Sequence, residues 1–265
     1  MANRSSGGMR RQHSIGLKKS PTEGASEIFW PKAARAADIV GRQSSYYAMH
    51  IKGQDLSEQC RGSNGWLLGT ATSTRGGGHT TGAIVIETVG ELDHEKAASV
   101  YGADNVDQPL DYSGKACIVM YMEALSRIAN SLGICLYSTT CWDLEQIDLP
   151  QMARLYSTAT GWETSVADLK RIAIRQLNLE KAFNLRFTDF DRRHDMPTPR
   201  DLNESVPAGN LAGWKLDEKK YNEMLDEYYE LHGWNKQNSY PKRKILEELD
   251  LASVADELKR IGKLG

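Results

Sequence analysis

Apolar residues return at helical spacing along most of this chain. In residues 27–42, Ile28, Phe29, Ala33, Ala36, Ala37 and Val40 fall on one face, and Pro31 stands near the start, where its missing N–H is tolerated. Residues 115–132 carry Ile118, Met122, Leu125, Ile128 and Ala129, then meet Gly133, which suits the left-handed residue that ends a helix. Residues 149–160 stop at Gly161 in the same manner. Ser165 opens a third strong helix, with Asp168 three residues on as a capping-box partner and Val166, Leu169, Ile172, Ala173 and Leu177 as its buried stripe. Asp217 caps a fourth, whose one face holds Tyr221, Met224, Leu225, Tyr228 and Leu231 and which Gly233 terminates. Residues 243–250 and 253–261 are predicted as two short helices.

The intervening stretches are less regular. Residues 50–82 read as loop, with a short helix of small residues within 65–73 and a triple glycine, Gly76 to Gly78, that permits backbone other residues cannot follow. The run Ile84, Val85, Ile86 is β-branched and fits a strand or a loop. The first 20 or so residues are rich in Ser, Gly and Arg and have no period, as in a flexible tail. The expectation is a mainly α, multihelical fold, with a basic tail at 1–22, a helical domain at 23–265 and a candidate sub-boundary near 82–114.

Composition narrows the function classes. Of 265 residues, 40% are apolar and 26% charged, which excludes disorder, collagen and a disulfide scaffold. Lys plus Arg number 33 against 35 Asp plus Glu, so no global basic field collects nucleic acid or anionic lipid, and neither is expected as a partner. The longest apolar runs, such as 116–122, fall far short of a membrane span, and the basic start lacks the apolar region of a secretory signal. Cys60, Cys117, Cys135 and Cys141 have no short regular spacing. A soluble protein of the reducing cytoplasm is expected.

Five stretches are candidates for chemistry. Arg75-Gly76-Gly77-Gly78-His79 joins a planar phosphate donor, a flexible N–H cradle and an imidazole that titrates near neutrality, although a glycine run alone is more often a turn. Asn130 to Cys135 ends a helix and leaves a thiol just beyond it; the plainer reading is a capped helix followed by a buried thiol. Phe183 to Arg186 and the charge cluster 191–197 read most simply as a helix end and a solvated face, and Tyr228-Tyr229 through Trp234 as core aromatics.

In this order the segments resemble the C-terminal part of the tungsten-containing aldehyde ferredoxin oxidoreductase family, from about Glu23 onward. Its pattern Y-A-x-H-x-K-G is similar to Tyr47 to Gly53, followed by Arg61-Gly62. A-T-S-x-R-G-x-x-H matches Ala71 to His79, and D-x-x-G-L-C matches Asn130 to Cys135. F-N-x-R matches Phe183 to Arg186, an Asp/Pro/Arg segment matches Asp195 to Arg200 loosely, and Y-Y-x-x-x-G-W matches Tyr228 to Trp234.

The resemblance implies helices around a tungsten (or molybdenum) bis-pyranopterin and a [4Fe–4S] cluster that passes electrons to ferredoxin, with an aldehyde oxidised to a carboxylic acid. It implies that Arg75 and Gly76 meet the pterin phosphate region, that Asn130, Ile134 and Leu136 lie against a pterin, that His79 is a proton donor or acceptor, and that Cys135 is the last cluster ligand. Asn130 stands where the family has Asp, and Thr81 where some members have Lys. The family's N-terminal base domain, with its C-x₂-C-x₃-C run and first D-x-x-G-L, has no counterpart in these 265 residues. A second chain or missing domain is therefore expected as partner, with an uncovered apolar face around Trp66, Leu67 and Leu68 that leads to self-association or tight binding. The alternatives are a cofactor-free helical accessory protein or fragment of that fold, and part of a related aromatic acyl-CoA reductase.

Overall fold

One helix organises the rest. In a computed structural model, which describes residues 33–58, 60–82, 84–88 and 92–265, α4 (Lys115–Leu132) is buried along almost its whole length and packs against α2 (Asn64–Thr72), α6 (Val166–Phe187) and α8 (Glu218–Leu231). Its expected apolar face is only part of the reason. Glu123, Ser126 and Arg127 are buried as well, each with partners, so the helix can be enclosed on several sides without stranding charge. Its last turn leaves the core: Asn130 and Ser131 are exposed.

Around it stand α1 (Ala33–Val40), α3 (His94–Tyr101), α5 (Leu149–Thr160), α7 (Pro199–Asn203), α9 (Arg243–Glu248) and α10 (Ala252–Arg260), giving ten α-helices among the described residues. The mainly α expectation holds, and the long helices begin and end where caps were read. The Asp148–Gln151 and Ser165–Asp168 capping boxes start α5 and α6, and Gly161 and Gly133 close α5 and α4 with φ of 74° and 72°. The expected first helix is seen over Ala33–Val40; its earlier part, like the tail at 1–22, lies outside the described residues.

Three expectations are corrected. The stretch after residue 83 is neither strand nor open loop but a buried 3₁₀ turn, Val85–Thr88. Ile172 is 51% exposed, because α6 turns Leu169, Ala173 and Leu177 inward and leaves it outside. Leu67 and Leu68 are fully buried and Trp66 half-buried, so no uncovered apolar face lies there: α2 is pressed against α4. Exposed apolar side chains occur elsewhere, at Phe183 and Phe187 on the end of α6.

Within the loop-rich stretch a minimal hairpin forms, β1 (His50–Ile51) paired antiparallel with β2 (Gln54–Asp55). Lys52 and Gly53 make its turn with φ of 52° and 76°. The Lys52 ammonium is what fixes it: Nζ lies 2.6 Å from Asp195 Oδ1 and donates to the Ala71 carbonyl of α2 at 2.5 Å.

Candidate cofactor-facing site at the end of helix α4

The glycine run is shaped by the hairpin. A Cβ on Gly76 would lie 2.7 Å from Gln54 Cβ and 2.8 Å from the Ile51 carbonyl, and one on Gly77 would lie 2.6 Å from the Gln54 carbonyl. Close backbone approach therefore demands glycine at both. The N–H groups are already used: Gly76 donates to Ser73 O, Gly77 to Ile51 O and Gly78 to Gly76 O, at 3.2, 3.2 and 2.6 Å. An anion here would be held by the Arg75 side chain, which is exposed and has no ion pair or hydrogen bond among the described residues. It borders a 390 Å³ cleft lined also by Thr74 and by Leu179, Glu180, Phe183 and Asn184 of α6.

His79 begins a 3₁₀ turn that Ser126 of α4 secures by donating to the Thr80 carbonyl at 2.7 Å. The imidazole is half-buried. Its Nδ1 is 3.1 Å from Ser57 Oγ and 3.8 Å from Glu58 Oε1, and the Trp66 ring lies across it at 5.5 Å. Nε2 has no partner among the described residues, so one nitrogen is held and the other stays available.

At the end of α4, Gly133 donates to the Asn130 carbonyl at 3.3 Å and Ile134 to the Ala129 carbonyl at 2.8 Å, a Schellman closure. This turn leaves the Asn130 amide and the Cys135 thiol exposed, the latter contrary to the buried-thiol reading. Ile134 and Leu136 are half-buried against the core. Among the described residues no three His, Cys, Asp or Glu side chains cluster as a metal site. The exposed Cys135 thiol, the Arg75 guanidinium and the Asn130 amide are groups able to act as a thiolate ligand, an anion donor and a hydrogen-bonding amide respectively.

No contact joins Arg75, His79, Asn130 and Cys135 directly. What they share is α4: Arg127 reaches Thr74 beside Arg75, Ser126 holds the turn of His79, and Asn130 to Cys135 follow one turn on.

The polar groups that sequence reasoning missed lie inside. The pattern of 191–197 predicts a solvated cluster, yet Asp195 is 1% exposed, pairs with Lys52 and Lys181, and accepts from Tyr229 at 2.7 Å. Burial raises its carboxyl pKa, but Lys181 and Lys52 outweigh that and hold it below the ordinary value. Burial pulls Lys181 down, against the pull of Asp195. Glu123 accepts from Tyr228 and contacts His232, both at 2.8 Å. Glu87 pairs with Lys115 at 2.7 Å and accepts from the Ser63 hydroxyl and the backbone N–H of Trp66, capping α2; burial still pushes its pKa up. Tyr228, Tyr229 and Trp234 are core aromatics, as expected. Lys52, Tyr228 and Tyr229 stood within the motifs, but no local signal marked their partners.

Residues 23–251 match the family described as aldehyde ferredoxin oxidoreductase, domains 2 and 3. The chain is 30% identical over 193 residues to the tungsten-containing aldehyde ferredoxin oxidoreductase of Pyrococcus furiosus, covering 72% of this chain and 29% of that protein. It is 30% identical over 221 residues to the protein of that name from Thermococcus kodakarensis, covering 82% and 33%. Among solved structures, the active site complex BamBC of benzoyl coenzyme A reductase with 1,5 dienoyl-CoA superposes with a TM-score of 0.67 at 21% identity, over 87% of this chain and 37% of that one, a likeness of fold. The matches thus span about a third of the length of these curated relatives.

Proposed function

The chain belongs to the aldehyde ferredoxin oxidoreductase family, in the region of its domains 2 and 3, and from that premise we propose that it is the cofactor-facing C-terminal part of an enzyme that oxidises aldehydes to carboxylic acids. Water supplies the added oxygen, and two electrons and two protons leave per aldehyde, the electrons for ferredoxin. When bound, a tungsten or molybdenum bis-pyranopterin supplies the redox chemistry, and a [4Fe–4S] cluster the path outward.

The observation that carries this reading is selective openness. Among the motif residues, the side chains of Arg75, Asn130 and Cys135 are exposed and, like the Nε2 of half-buried His79, have no partner among the described residues, and all belong to segments braced on the last two turns of α4. Arg75 binds a phosphate through its planar fork, and Gly76 lets the loop lie flat on the hairpin. Asn130 meets pterin N–H groups with an amide in place of a carboxylate, while Ile134 and Leu136 present an apolar edge. His79, anchored through Nδ1, takes or gives a proton at Nε2. Cys135 contributes one thiolate, so a second chain or further domain supplies the other ligands.

Purification of the native assembly that contains this chain, followed by metal analysis, tests the proposal. Stoichiometric tungsten or molybdenum with about four irons per chain is expected. An intact assembly without metal contradicts it.

A further inference from the structure

Asn184, the second residue of the F-N-x-R motif, together with two residues outside every motif, converges on the residue before Arg75. Thr74 Oγ1 donates to Glu180 Oε2 at 2.6 Å, and Asn184 Nδ2 donates to the Thr74 carbonyl at 2.7 Å, both from α6. From α4, Arg127 Nη2 donates to the same Glu180 oxygen at 2.7 Å and lies 3.4 Å from Thr74 Oγ1. Gln176 holds the other Glu180 oxygen at 3.2 Å. Side chain and backbone of one residue are thus both gripped, and the grip spans two helices.

A segment without regular structure and with three glycines loses much conformational entropy on ordering. The hairpin contacts fix Gly76 and Gly77, and nothing in them fixes the residue before. We infer that Glu180, Asn184 and Arg127 form a clasp that positions Arg75: by fixing Thr74 they set the direction in which the guanidinium leaves the chain over the cleft. Because Arg127 also sits one turn before Asn130, the clasp ties the Arg75 side of the site to the Asn130–Cys135 side. The inference rests on the proposed role of Arg75 toward a cofactor phosphate, but the clasp itself is testable in the chain alone. The bond to Glu180 needs the Thr74 hydroxyl and not its methyl group, so Thr74→Ser keeps it and the isosteric Thr74→Val removes it.

The experiment is amide hydrogen exchange on the full chain. Thr74→Val and Asn184→Asp are expected to speed exchange at Gly76, Gly77 and Gly78 by about 10- to 100-fold, as for the loss of one or two hydrogen bonds, while Thr74→Ser stays near the parent and the middle of α4 and α6 stays protected. Unchanged exchange at these glycines in Thr74→Val overturns the clasp. So does acceleration spread equally through α4 and α6, which marks general loosening. In the assembled complex, Arg75→Gln tests the underlying reading separately: it leaves glycine exchange at the parent rate but lowers retained tungsten, and Thr74→Val lowers it too, with Thr74→Ser restoring it. Full tungsten retention in Arg75→Gln defeats the phosphate role and leaves the clasp standing; full retention in Thr74→Val beside loss in Arg75→Gln defeats the positioning.

Discussion

Asp195 and the end of α4 are both places where motif residues gather, but they differ in what their polar atoms do. At Asp195 the polar groups close inward: two lysines, two tyrosines and Ser239 pair or hydrogen-bond with the aspartate or with one another beneath the surface. In the open region the guanidinium of Arg75, the Asn130 amide and the Cys135 thiol have no inward partner among the described residues, although the backbone beside them is hydrogen-bonded at Gly76, Gly77, Gly133 and Ile134. A family motif therefore mixes two kinds of residue. Those whose side chains are consumed internally build the scaffold, and under the proposed function those left open serve a group outside the chain.

The largest effect is expected in the closed region. Asp195→Asn leaves Lys52 and Lys181 buried without their counter-charge, and a loss of about 3–5 kcal/mol is expected in urea unfolding. A loss below about 1 kcal/mol would mean that the pairs are dispensable. The same residue shapes the acid limb. Its folded pKa lies below the unfolded value of about 3.9, so its stabilisation is present above that value and lost as pH falls through the folded one. Stability measured from pH 5 downward should fall less steeply in Asp195→Asn than in the parent; equal slopes contradict the assignment.

At the open region the effects move from stability to chemistry. His79→Asn in the assembled enzyme should lower turnover by about 10²–10⁴-fold with metal content unchanged. Loss of metal instead would make His79 a ligand or a structural residue. The smallest effect is expected from Asn130→Asp, which restores the family's carboxylate: retained tungsten should stay level or rise, since an ionised acceptor bonds N–H groups more strongly. A fall in tungsten would show that the amide is the fitted group.

Much of the scaffold was legible in the sequence. α4 and α6 announce themselves by apolar period, by Gly133 and by the Ser165–Asp168 box, because these are local interactions. The closed hub was not legible, since Asp195 and Lys52 are far apart in the chain and a cluster such as Asp191-Arg192-Arg193-His194-Asp195 looks solvated until its neighbours are known. The two-residue strands were too short to show a period, and α3 has barely two turns. For the site, Arg75, His79, Asn130 and Cys135 stood out by type and order, whereas Glu180 and Arg127 carry no local mark at all. Exposure at Trp66 to Leu68 has no basis in the local pattern, and the packing of α2 on α4 buries Leu67 and Leu68.

The most direct test of the division between closed and open residues is iron analysis of the assembled complex carrying Cys135→Ser. A chain with parental thermal stability, retained tungsten and loss of the cluster iron is expected, because a hydroxyl is a poor iron ligand and the thiol supports nothing inside the fold. A full iron complement in Cys135→Ser, or a chain that no longer folds, would contradict it.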